Sequence, residues 1–130
     1  MKTEYQSLCR TSESEEQAAI FEWCAWNRGK YPELELLYHI PNGGKRSKAE
    51  AARFKREGVK AGVPDLCLPV ARRGFHGLYI ELKAEKGVVS AEQKKWIAEL
   101  KRQNYCAFVA YGAAAAIKAL AFYLGGEKSE

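Results

Sequence analysis

Two carboxylates and a lysine in this chain are spaced so that folding can bring them together. Asp65 follows Pro64 at the mouth of the apolar run 66–71, and Glu81 and Lys83 lie in "GLYIELKAE", residues 77–85. If residues 78–84 form a strand, side-chain alternation puts Tyr79, Glu81 and Lys83 on one face and Leu78, Ile80 and Leu82 on the other. If that strand pairs with 66–71 through the connection "RRGFHG", Asp65 and Glu81 converge on one side of a sheet. Two carboxylates with backbone carbonyls and waters are the oxygen donors that Mg²⁺ or Mn²⁺ prefers. A lysine beside them can orient a water or stabilise developing charge. Each residue also has a plainer account. Asp65 can serve as a turn or capping residue, and Glu81 with Lys83 can be a solvated charge pair.

The elements that must position these residues are legible from caps, breakers and periodicity. Residues 12–28 read as a helix with Ser12 as N-cap, with Gln17, Ile20, Phe21 and Cys24 at helical spacing and Gly29 as the stop. Residues 34–40 read as a strand between Pro32 and Pro41. The loop "NGGKRS" leads to a short basic helix, 48–58, and "VKAGVPD" is a second loop whose Gly62 and Pro64 set up a turn. Residues 66–71 and 78–84 are strands. A helix over 90–104 has Ser90 as N-cap, Gln93 at its third position, and Trp96, Ile97 and Leu100 turned inward. An apolar strand, 105–111, and a closing helix, 113–124, complete an α/β order. This predicts a mixed sheet covered by helices on both faces.

At 130 residues the chain is expected to form one domain. The net charge of +5 favours an anionic partner. No run approaches the length of a membrane span, and "MKTEYQSLCR" has no apolar signal core, so a cytoplasmic location without membrane attachment is expected. Cys9, Cys24, Cys67 and Cys106 make no CxxC pair. Cys24, Cys67 and Cys106 sit among apolar residues and read as buried, reduced thiols. "GKRS" lacks the spacing of a phosphate-binding GxxxxGK[ST] loop, so no nucleotide cofactor is expected. No Ser–His–Asp or Cys–His arrangement with supporting motifs is present.

Pro-Asp followed sixteen residues later by Glu-x-Lys resembles the PD-(D/E)xK nuclease superfamily, and the element order matches its restriction-endonuclease-like αβββαβ core with one short helix inserted. Further motifs narrow the resemblance to stand-alone VRR-NUC (virus-type replication-repair nuclease) domains over about residues 12–121. They are Glu13 and Gln17 in "E-x-x-x-Q", "IPNGGKR" at 40–46, "EGVKAGVPDL" at 57–66, "YIELKAEKG" at 79–87, and Ser90 with Gln93. The resemblance implies Mg²⁺- or Mn²⁺-dependent hydrolysis of phosphodiester bonds in structured DNA, and it suggests a virus or prophage origin. Asp65, Glu81 and the Leu82 carbonyl would hold the metal. Lys83 would position water and stabilise charge on the phosphate. A first-helix acid would complete the metal shell. The family spacing selects Glu13, with Glu16 second; both share a stripe with Gln17 and Ile20, whereas Glu15 points elsewhere. Gln93 is either a site residue or the partner of Ser90 in a capping box.

The run from Asn42 to Lys60 is the expected DNA surface. Its glycines, Gly43 and Gly44, allow backbone N–H groups to approach a phosphate. Lys45, Arg46, Lys48, Arg53 and Lys60 supply positive charge, although such a run can also be a solvated helix face. Arg72 and Arg73 at the hairpin tip would add to this surface. His39 is expected to satisfy a local hydrogen bond, and His76 to be a turn residue. Similarity to junction-resolving enzymes implies a homodimer that nicks four-way (Holliday) junctions or other branched DNA on two strands. Its interface would use Ile117, Leu120, Phe122 and Leu124, or Trp23 and Trp26. The alternative is a non-catalytic DNA- or RNA-binding module that keeps the fold.

Overall fold

The computed structural model describes residues 12–41 and 46–125. Within them the order is α1 (Glu13–Asn27), a 3₁₀ turn (Pro32–Leu36), β1 (Tyr38–His39), α2 (Lys48–Arg56), β2 (Leu66–Leu68), β3 (Leu78–Lys83), α3 (Ala91–Arg102), β4 (Cys106–Tyr111) and α4 (Ala113–Leu124). The strands form one mixed sheet in the order β1-β2-β3-β4. The β1–β2 and β2–β3 pairs are antiparallel, and β3–β4 is parallel with α3 as its crossover. This is the αβββαβ core with α2 inserted between β1 and β2.

Three helices begin on serine for the same physical reason. The hydroxyls of Ser12, Ser47 and Ser90 each accept from the backbone N–H three residues on, at 3.1 Å, satisfying a donor that the helix cannot pair internally. The fourth helix, α4, starts at Gly112 and has no such side chain of its own. Glu16 of α1 supplies the acceptor instead, taking the N–H of Ala113. A carboxylate at the positive end of a helix is favourable, and this contact fixes α1 against α4.

The apolar stripe of β3, Leu78, Ile80 and Leu82, is about 1% exposed and packs with Ile20 and Cys24 of α1, Leu66 and Leu68 of β2, and Ala116, Leu120, Tyr123 and Leu124 of α4. The Tyr123 hydroxyl donates to the Val70 carbonyl at 2.6 Å, so the buried phenol is satisfied. Cys24 and Cys67 are buried free thiols; Cys106 is free and only partly buried. Burial raises the Cys24 thiol to about 11, so this cysteine stays protonated.

Three sequence expectations change. Residues 34–40 do not form a full strand: Pro32 occupies the first turn of a 3₁₀ segment, which suits its fixed φ, and only Tyr38–His39 pairs with β2. At the hairpin tip, Arg72 is not on the surface, and both arginines have partners within the fold. Arg72 is buried and donates to Glu33 at 3.1 Å, while Arg73 donates twice to the Phe122 carbonyl and lies over the Phe122 ring. Trp96, Ile97 and Leu100 are half-buried, and none of α3 reaches the fully buried core.

Candidate metal and phosphodiester site

Asp65 is placed by its backbone first. Gly62 has φ +91°, where a side chain is strained, and a Cβ there would come within 2.6 Å of the Glu92 backbone. The 62–64 turn therefore lies directly on the first turn of α3. After buried Pro64, the Asp65 carbonyl accepts from the Ile40 N–H at 2.7 Å and lies 3.0 Å from His39 Nδ1. Its carboxylate reaches across to accept from the Leu82 N–H at 2.8 Å. The β2–β3 register pairs Leu66 with Ile80, and one further step sets Asp65 opposite Glu81. In an extended strand a residue's N–H and C=O leave on the same side, so the Leu82 carbonyl also faces the Asp65 side of β3.

Glu81 is about 2% exposed and is approached from two directions. Gln93 Nε2 donates to Glu81 Oε1 at 2.9 Å, and Lys83 Nζ lies 3.5 Å from the same oxygen. The other oxygen, Oε2, is buried without a hydrogen-bond partner. Burial and the neighbouring Asp65 carboxylate raise the Glu81 carboxyl to about 8, outweighing the opposing pull of Lys83. A buried carboxylate oxygen with free lone pairs, next to a second carboxylate, is a costly arrangement for the protein alone. A divalent cation resolves both problems at once, and the donors present are the hard oxygens such a cation takes. The residues fit Mg²⁺ or Mn²⁺.

Gln93 caps α3 and reaches Glu81 with the same side chain. Its Oε1 accepts from the Ser90 N–H at 2.9 Å and its own N–H donates to Ser90 Oγ, which completes a capping box. That leaves the amide NH₂ directed at Glu81. The helix cap thus fixes which end of the amide faces the site, and the start of α3 orients the acid.

The first-helix acids are placed differently from the expectation. Glu16 is engaged by α4, and Glu13 stands exposed one turn earlier. Among the described residues, no three His, Cys, Asp or Glu side chains are grouped as a metal site. The physical reason is the uncapped N-terminus of α4, which draws in the nearest α1 carboxylate. Lys83 has a feature that the motif alone does not explain. A Cβ on Gly87 would come within 3.0 Å of the Lys83 side chain and 3.2 Å of the Ala84 carbonyl, so glycine at 87 keeps room for the lysine stem. Its place at the end of "YIELKAEKG" was the available signal.

Of the expected DNA-binding residues, Asn42, Gly43, Gly44 and Lys45 lie outside the described residues. Arg46 and Arg53 both lie over the Phe54 ring, at 4.3 and 5.0 Å from its centroid. Arg53 also pairs with Glu57 at 3.4 Å. Lys48 and Lys60 are exposed. α2 has no buried residue, so its cationic surface is open along its length. Of the expected dimer surface on α4, Leu120 and Leu124 are core and Ile117 is half-buried, whereas Phe122 is 66% exposed with Arg73 over its ring. Trp26 is 82% exposed, while Trp23 packs near Tyr31. No helix among the described residues is long and apolar enough to cross a membrane.

Comparison with known proteins agrees with this fold. The VRR-NUC domain model matches residues 6–114. A solved structure described as a VRR_NUC domain protein is 35% identical and superposes with a TM-score of 0.79, covering 92% of this chain and 93% of its own. A search of curated proteins found no match. With the family pattern spanning most of the chain, and its fold and acid–acid–lysine cluster in place, the chain belongs to the VRR-NUC family and has that family's nuclease-type fold.

Proposed function

We propose that the chain is a Mg²⁺- or Mn²⁺-dependent endonuclease that hydrolyses phosphodiester bonds in branched DNA, four-way junctions foremost. The observation that carries this reading is the Asp65–Glu81 pair, with an unpartnered buried oxygen on Glu81 and Lys83 beside it. Asp65, Glu81 and the Leu82 carbonyl would hold the cation, joined on the DNA complex by Glu13, or by Glu16 if it leaves Ala113. When bound, the cation would supply Lewis acidity toward the phosphate and its attacking water.

The chain's own residues have separable tasks. Gln93 holds the Glu81 carboxylate in orientation through a helix cap. Lys83, nearly buried, offers a cation whose attraction to phosphate is strengthened by the loss of water around it. Arg46, Lys48, Arg53 and Lys60, with Lys45, would neutralise the phosphates flanking the scissile one. Paired cuts across a junction would need two copies of the chain, a homodimer matched to the symmetry of the substrate.

The test is cleavage of labelled four-way-junction and matching linear duplex DNA in Mg²⁺, Mn²⁺ or EDTA. Junction nicking that requires the metal and falls about 10²- to 10⁴-fold in Lys83→Ala supports the proposal. Tight binding without nicking in any metal would leave a nucleic-acid-binding module and overturn the enzyme reading.

A further inference from the structure

A second feature of α3 lies one turn beyond Gln93, where the helix meets the loop of the 57–66 motif. A cleft of about 380 Å³, open to solvent, is lined by Lys60, Ala61, Glu92, Lys95, Trp96 and Glu99. Its size falls at the lower end of the roughly 300–1,000 Å³ typical of pre-formed small-ligand sites. One wall is the loop before Asp65 and the other is α3. These walls are fixed to each other, because Gly62 lies against the Glu92 backbone too closely for any side chain. The cleft is therefore built into the frame that sets the catalytic acids.

Its chemistry is mixed in a particular way. Trp96 is half-buried and gives the cleft an aromatic wall. Lys60 and Lys95 are exposed cations beside it, whereas Glu92 and Glu99 are carboxylates among the same lining residues. Carboxylates disfavour a phosphate inside the cleft but accept from the N–H groups of a base edge. Lys60 and Lys95, in the same lining, suit a neighbouring phosphate. An indole face suits any base, since all have a π-face to stack.

We infer that this cleft receives the base of one unpaired nucleotide of the DNA, stacked on Trp96, next to the phosphate presented to Asp65 and Glu81. The inference rests on the nuclease reading for the position of the scissile strand, and it adds a reason for preferring branched DNA. A branch point offers an unpaired or readily unpaired base, whereas extruding one from intact duplex costs stacking and pairing free energy.

Two junctions would be compared by fluorescence anisotropy in Ca²⁺, one with adenine as a single unpaired nucleotide at the branch and one abasic there. Wild-type protein should prefer the base-bearing junction by about tenfold, the scale of one stacked base. That preference should collapse toward one in Trp96→Leu and largely persist in Trp96→Phe. Equal or undetectable binding of the two junctions by the wild type would overturn the inference, whether or not the leucine variant folds. Nicking of the base-bearing junction in Mg²⁺ is scored separately. A base preference without nicking would remove the nuclease reading and keep the cleft, and nicking without a base preference would do the reverse.

Discussion

Glu81 is the residue whose protonation the fold changes most consequentially. Its carboxyl is raised from 4.5 to about 8 by burial and by Asp65, so folding without metal takes up a proton between those values. For a carboxylate raised in this way, the folded state is favoured at low pH and loses stability as pH rises from about 5 to about 8. Thermal melts in EDTA should therefore fall across that window, and Mn²⁺ at pH 8 should restore the loss. Glu81→Gln keeps an acceptor for Gln93 and carries no charge, so its EDTA melts should be flatter with pH and higher than wild type at pH 8. Equal slopes for the two proteins would count against an uncompensated Glu81. The acids and lysine were legible in sequence because strand alternation and hairpin register are local rules. The fate of Glu16 was not: it depends on α4 starting at a glycine with no cap of its own, a fact about a helix 97 residues away in the chain.

At the scale of elements, the start of α3 and the turn after β3 do the positioning. Ser90→Ala removes half of a capping box, which costs about 1 kcal/mol of stability. It should also release Gln93, so urea denaturation should show that loss while kcat falls further than the lost stability explains. An unchanged kcat would confine Gln93 to capping. Gly87→Ala forces the Lys83 stem aside in a confined place. On the proposed function it should lower kcat about tenfold with little change in KM, because the displaced charge would act on the reacting phosphate. A wild-type kcat would show that the lysine tolerates the shift. The capped helices were readable because a serine followed three residues later by an acid or amide is a local signal. The 34–40 strand failed because its first half follows Pro32 into a 3₁₀ turn. The contacts of the hairpin tip were not legible because the partners of Arg72 and Arg73 are Glu33 and Phe122, far off in sequence.

At the scale of the whole molecule, a net charge of +5 meets a site that concentrates negative charge. The two lie in different elements of the chain. α2 and the loops around it carry the exposed cations, and the β2–β3 pair holds the acids. Composition foretold the first and motif spacing the second. The cleft beside Trp96 was invisible to both, since it arises where a loop and a helix meet. The proposed chemistry depends most on Asp65 and Glu81 forming a divalent-cation site. Mn²⁺ binding followed by electron paramagnetic resonance at pH 8 tests this directly, in wild type and in Asp65→Asn with Glu81→Gln. The wild type should bind Mn²⁺ in competition with Mg²⁺, and the double variant should lose that binding by at least tenfold. Indistinguishable Mn²⁺ binding by the two proteins would contradict the site.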